Sequence, residues 1–281
     1  MSAYSLREIT YRDAIREALA EEMERHPGMI IIGEDLRPGG GTFGVHAGLA
    51  ERFDARMFES PISESSIVGV ALGAAMAGGP MVAEIMYSDS MCVAMPATPA
   101  DAKGLLKSAL RGQDPVIFFE PKLLYATKGM VSDDPGLTLP FGRAAIARAG
   151  KDLTIVATGL MVSRALDAAS KLEQAGIAAE VIDPRTVSPI DWDTIFASVE
   201  KTGRALIVNE ATLAGSVASE IAATIGEHRF TSLKGAVRRL GAPIAPKPST
   251  PGLEKLSYPQ VEDIERVARE MVPRKAQKRA A

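Results

Sequence analysis

Short apolar runs alternate with stretches that place an apolar residue every three or four positions, and the alternation occurs twice along the chain. In the first half Ala14, Ala18, Leu19 and Met23 share one helical face. Thr10 and Asp13 form a capping box before it, and His26-Pro27-Gly28 stops it. Residues 29–32, Met-Ile-Ile-Ile, predict a short buried strand. A weak helix over 45–53, a strand over 57–59, a helix over 65–77 and a strand over 81–86 follow. Thr98-Pro99, a cap and then a proline at the first helical position, predicts a helix over 100–111 that ends at Gly112. A strand over 115–120 completes this half. The second half predicts strands at 153–158, 179–182, 205–208 and 237–240, and helices at 161–175, 191–202, 215–228 and 261–271. Such alternation argues for two α/β domains with mainly parallel sheets, whose chemistry sits beyond the carboxyl ends of the strands. Glu34 and Glu64 both fall just past strand ends and are expected at one crevice.

Length and composition narrow the picture. A chain of 281 residues favours two domains. Its 46% hydrophobic and 24% charged content is that of a globular protein. A net charge of −3 gives no electrostatic case for nucleic acid or membrane binding, and a single cysteine, Cys92, excludes an intrachain disulfide and suits the cytoplasm. The uncharged stretch 67–83 carries Pro80 and is slightly short for a span, so it predicts a buried helix and strand. The domains are expected at 1–120 and 143–272. A proline- and glycine-rich linker over 121–142 joins them, and a basic tail of no assigned function occupies 273–281.

The chemistry centres on Ser60-Pro61-Ile62-Ser63-Glu64. Between residues 60 and 83 Glu64 is the only ionisable side chain, and a lone acid in such surroundings gains proton affinity. The bland alternative is a helix capped by Ser63 with an acid in its first turn. Other signals are weaker. Gly39-Gly40-Gly41-Thr42-Phe43-Gly44 matches a dinucleotide fingerprint literally, but five residues separate it from the strand and two of them are acids, so a flexible loop is the better account. The three histidines have no ligand spacing: His26 ends a helix, and His46 and His228 are expected at the surface. Glu210 is expected to cap the helix that follows it.

The ordered set Thr10-Tyr11-Arg12-Asp13-Ala14, Gly33-Glu34-Asp35, Ser60-Pro61-Ile62-Ser63-Glu64, Gly73-Ala74-Ala75-Met76-Ala77-Gly78, Thr98-Pro99-Ala100-Asp101-Ala102-Lys103-Gly104, Asp183-Pro184-Arg185-Thr186 and Pro251-Gly252-Leu253-Glu254 carries a family resemblance. It resembles the beta subunit of the thiamine-diphosphate-dependent 2-oxo acid dehydrogenase decarboxylase component, of the pyruvate, branched-chain or acetoin type. The resemblance implies a transketolase-like pyrimidine-binding domain, here truncated, followed by a transketolase carboxyl-terminal domain. It implies oxidative decarboxylation of a 2-oxo acid with acyl transfer to lipoyl groups. Thiamine diphosphate would be shared with an alpha subunit that holds the magnesium, in a heterotetramer with a beta–beta contact and a lipoyl acyltransferase core as further partner. No Gly-Asp-Gly with a downstream Asn, the usual means of holding the metal diphosphate, occurs in this chain. Glu64 takes the family's role of hydrogen-bonding the aminopyrimidine ring. Ile62 contacts that ring, Glu34 matches an acid linking paired active sites, and Tyr87 and Ser90 border the pocket, with Ser90 where relatives place an aromatic. Relatives also have roughly 60 residues, about two βα units' worth, between a helix ending near Met95 and the turn at Pro96. Their loss would remove central strands and an active-site histidine and expose sheet edges. A non-catalytic paralogue that keeps its assembly role is the alternative implied.

Overall fold

The computed structural model describes residues 5–41, 43–61, 63–84, 92–112, 114, 116–245, 248 and 250–272, without the side chains of residues 38, 64, 65, 251 and 252. The chain divides into two units, residues 1–141 and 142–281.

The first unit runs β1 (Leu6–Thr10), α1 (Tyr11–Arg25), β2 (Ile30–Gly33), α2 (Leu49–Phe53), β3 (Met57–Glu59), α3 (Glu64–Met76), β4 (Met81–Ala83), β5 (Cys92–Ala94), α4 (Pro99–Arg111), β6 (Val116–Phe118) and β7 (Lys128–Ser132). The Thr10 and Thr98 side chains accept from the Asp13 and Asp101 amides, so both expected caps start their helices. α1 and α4 pack on each other through Tyr11, Ile15, Met23 and Leu105 and through a ladder of charges. Lys103 and Lys107, both fully buried, pair with Glu17 and Glu21, and their ammonium groups also donate to the Ser132 and Pro135 carbonyls at 3.1 and 2.7 Å. One turn further, Arg111 donates twice to Glu22, itself fully buried, at 2.9 Å from Nε and 2.5 Å from Nη2.

Residues 121–142 do more than connect. β7 pairs antiparallel with β1 over five positions, Leu6 opposite Ser132 through Thr10 opposite Lys128, and the unit boundary falls at 141/142. The helix expected to end near Met95 is instead strand β5, which pairs parallel with β6 at Cys92–Val116, Val93–Ile117 and Ala94–Phe118. From β5 the chain passes directly through Pro96 to α4, an unbroken strand–turn–helix. The junction that the resemblance places between Met95 and Pro96 therefore lies within this strand–turn–helix.

The parallel strands of this unit form two separate ladders, β3–β2–β4 and β5–β6. Only residues 84–91 connect β4 to β5, fewer than the dozen or so that a parallel crossover within one sheet requires. α3 consequently covers a ladder of strands only three or four residues long. Ile67 on it is fully buried, whereas Val70, Leu72 and Met76 are 54, 51 and 81% exposed. The tightly buried helix expected from this sequence is thus half bare.

The second unit runs β8 (Ala145–Arg148), β9 (Leu153–Ala157), α5 (Leu160–Gln174), β10 (Ala179–Asp183), β11 (Thr186–Ser188), α6 (Trp192–Thr202), β12 (Ala205–Thr212), α7 (Val217–Arg229), β13 (Arg238–Ala242), α8 (Pro251–Glu254) and α9 (Val261–Met271). Its sheet has the order β13–β12–β9–β10–β8, parallel except for β8 at the edge. Val156, Ile182 and Ile207 meet Ile195 and Val199 of α6 and Ile221 and Ile225 of α7. The alternate residues Ile155, Val181, Leu206 and Val208 are equally buried and face away from them, and α5, with α9 against it, packs on β9, β10 and β12. A parallel sheet needs both faces covered, and this one has them.

Candidate active site

Four glutamates mark the carboxyl edge of the first unit's parallel strands. Gly33 of β2 lies opposite Glu59 of β3, and Ile32 lies opposite Ala83 of β4, so Glu34, Glu59 and Glu84 leave three neighbouring strands at one level. Glu120 follows β6 by two residues. The Ser60 amide donates to the Gly33 carbonyl at 2.8 Å, which lays the segment leading into α3 beside Glu34. Glu64 is the first residue of α3, four residues past Ser60. Ser63 precedes it, but its hydroxyl donates to the Ser66 hydroxyl at 2.8 Å instead of capping a backbone amide. Ile62, Tyr87 and Ser90 lie outside the described residues, as does the Glu64 side chain.

Glu34 is buried, and its Oε1 has no hydrogen-bond partner among the described residues. Beside it stands a residue that sequence reasoning assigns to the surface: His46 is only 3% exposed, with Nδ1 3.3 Å from Glu84 Oε2. The glycine loop produces this burial. Gly40, Gly41 and Gly44 adopt positive φ, and the His46 amide donates to the Gly40 carbonyl at 2.7 Å, which folds the loop back onto the strand ends. Among the described residues no α-helix begins there until Leu49, and Glu59 accepts from the Arg37 amide at 3.2 Å, so the loop is not built as a dinucleotide turn. Tyr125 donates to Glu120 at 3.0 Å, and its ring packs against Phe43 and Tyr11. Glu210, expected as a helix cap, lies inside β12 of the second unit.

Crowding acids away from water raises their proton affinity. Burial, reinforced by Glu120, Glu34, Glu59 and Asp35, pushes Glu84 up to about 8. Burial pushes Glu120 up to about 7 against the Tyr125 hydrogen bond, and raises Tyr125 as well. Burial lowers His46 to about 4. The folded chain therefore holds protons on the two glutamates that the unfolded chain releases above about 4.5, while His46 releases below about 6.5 what the unfolded chain keeps. The glutamate contribution is full at low pH and is lost as pH rises to about 8; the histidine contribution is full above 6.5 and is lost towards 4. Above pH 6.5 only losses remain. The first unit is expected to lose stability between pH 6.5 and 8, with the Glu84 share on the order of 4 kcal/mol over its whole window. Denaturant midpoints measured against pH check this, and Glu84→Gln flattens the alkaline limb.

Among the described residues no group of three His, Cys, Asp or Glu side chains converges as a metal site. No helix there is long and apolar enough to cross a membrane.

Two α/β units, the first with an acid-lined strand edge, define a protein of the transketolase type. Residues 7–91 match the transketolase pyrimidine-binding domain and residues 142–264 the transketolase C-terminal domain. The chain is 36% identical to the acetoin:2,6-dichlorophenolindophenol oxidoreductase subunit beta of Cupriavidus necator over 329 positions, spanning 94% of this chain and 97% of that one. It is 36% identical to the 2-oxoisovalerate dehydrogenase subunit beta of Bacillus subtilis (94% and 98% covered). Against the pyruvate dehydrogenase E1 component subunit beta of the same organism the identity is 34% (94% and 99% covered). The chain belongs to this family of 2-oxo acid dehydrogenase beta subunits. A solved structure titled split gene transketolase, inactive beta4 tetramer, shares the fold at a TM-score of 0.74 and 24% identity, covering 94% of this chain and 98% of that one. An alignment of 329 positions that takes in 94% of a 281-residue chain leaves about 65 positions of the relative without a counterpart here. The pyrimidine-binding match stops at residue 91, just before β5, where the two ladders part.

Proposed function

We propose that this chain works with an alpha subunit in the cytoplasm, in a heterotetramer, as the beta subunit of a thiamine-diphosphate-dependent 2-oxo acid dehydrogenase. The complex decarboxylates a 2-oxo acid and passes the acyl group to lipoyl groups of an acyltransferase core. The observation that carries the reading is the strand edge itself: the segment opening α3 at Glu64 runs beside Glu34, within a family whose members are such beta subunits.

The residues present fit one end of the cofactor. Glu34, whose buried Oε1 is without a partner among the described residues, offers a hydrogen bond suited to an uncharged nitrogen ring, at an edge it shares with Glu59, Glu84 and Glu120. The same acids are a poor seat for a diphosphate, in keeping with an alpha subunit holding that end and its magnesium. Glu64 would donate to the pyrimidine ring nitrogen, Ile62 would support the ring's face, and Tyr87 and Ser90 would border it, with Glu34 alongside. When bound, thiamine diphosphate supplies the carbanion-stabilising centre that lets a 2-oxo acid lose carbon dioxide. The chain's own part is to hold the ring, keep a proton on Glu64 and exclude water.

Co-expression with an alpha subunit, followed by an assay of thiamine-diphosphate-dependent decarboxylation, tests the reading. A stable complex with turnover is expected. The split first-unit sheet favours one other reading, a non-catalytic paralogue that keeps assembly, and a stable complex without turnover would establish it.

A further inference from the structure

We propose that His46 and Glu84 form one proton-sharing pair, with the proton on the carboxyl and imidazole Nδ1 accepting it, and that this pair sets the charge of the acid-lined edge toward an anionic 2-oxo acid. The inference rests on the proposed function for its substrate, but the pair stands on geometry. His46 Nδ1 and Glu84 Oε2 are 3.3 Å apart, and neither atom has another partner among the described residues. Two glycines make room for them. At Gly33 a Cβ would sit 2.8 Å from Glu84 Cβ, and at Gly41, with φ near 90°, it would sit 3.1 Å from His46 Nδ1. A side chain at either position would push the pair apart.

The surroundings decide where the proton rests. Glu34 and Asp35 face the pair from the end of β2, Glu59 from β3 and Glu120 with Tyr125 from beyond β6. Two arginines of this unit are engaged elsewhere: Arg37 is held by Asp54 and the Met57 carbonyl, and Arg12 reaches the Phe43 carbonyl at 3.4 Å. An imidazolium–carboxylate ion pair would place a charged ring in a buried pocket, whereas a neutral carboxyl and neutral imidazole need no charge there. The raised proton affinity of Glu84 and the lowered one of His46 agree with the neutral form. A neutral pair removes one negative charge from an edge with four glutamates, which lowers the repulsion on an incoming carboxylate. When Glu84 ionises, that relief is lost and substrate binding weakens.

Two readouts on the full chain assembled with its alpha subunit test this. In nitrogen-15 spectra His46 is expected to stay neutral down to about pH 5 and to show one further transition near pH 8, linked to Glu84. That transition should vanish in Glu84→Gln, whose amide still donates to Nδ1. The KM for the 2-oxo acid is expected to rise several-fold across the same alkaline range in the natural chain and to stay flat in Glu84→Gln. A His46 that titrates near the ordinary 6.5 or so, or shows no linked transition, overturns the pair. An alkaline rise in KM that persists in Glu84→Gln overturns its role. Absence of turnover at every pH, with the linked transition intact, counts against the proposed activity and leaves the pair standing.

Discussion

Glu64→Gln, assembled with an alpha subunit, is expected to lose thiamine-diphosphate-dependent decarboxylation by about 10²- to 10⁴-fold, the usual worth of a positioned acid or base. Glutamine matches the shape of a protonated glutamate and can still donate a hydrogen bond, but it cannot release and recover a proton. Folding and assembly should therefore survive while turnover does not. The position suits the task. Glu64 is the only ionisable group between residues 60 and 83, at the start of a helix whose remaining side chains are apolar or small. Single-turnover decarboxylation measured beside cofactor affinity separates the outcomes. Full activity in this variant would remove Glu64 from the chemistry; loss of cofactor binding alone would make it a ring anchor only.

Arg111→Met is expected to destabilise the first unit by about 3–5 kcal/mol, because it leaves the fully buried Glu22 carboxylate without its forked partner. His26 would remain beside it, its Nε2 3.8 Å from Glu22 Oε2 on a half-exposed side chain. The double variant Glu22→Leu/Arg111→Met should recover most of that loss, since an apolar pair of similar volume carries no desolvation penalty. Chemical denaturation followed on both variants checks the pair; a single variant as stable as the natural chain would show that the Arg111–Glu22 pair does not help hold α1 on α4.

Much of this architecture was legible because local signals and tertiary packing agree. Thr98-Pro99 and Thr10–Asp13 start helices where their caps predict, and Val261–Met271 is bounded as expected. The β9–β10–β12–β13 ladder follows from apolar runs of ordinary strand length. What escaped was decided by partners far away in sequence. β7 looks like linker, because it becomes a strand only against β1, more than a hundred residues distant. Lys103, Lys107 and Arg111 recur every fourth residue, a spacing that in isolation marks a solvated face; Glu17, Glu21 and Glu22 on α1 turn it into an interior one. His46 was missed for a related reason. Nothing in its neighbours' polarity signals burial, and only the positive-φ glycines before it carry a hint that the loop turns inward. At the site, the pairing of Gly33 with the segment before Glu64 follows from the strand-end rule, whereas Glu84 needed the register of its ladder, and Glu120, on the separate β5–β6 ladder, the packing that brings it near enough to raise Glu84.

The bare flank of α3 bears on how the chain must be handled. Val70, Leu72 and Met76 leave apolar surface open to water on more than one side of this helix, the kind of surface that chaperones retain and that drives precipitation on concentration. Produced without companions, the polypeptide should come out of cells largely insoluble. Replacing Leu72 and Met76 with lysine should raise the yield of the solitary chain.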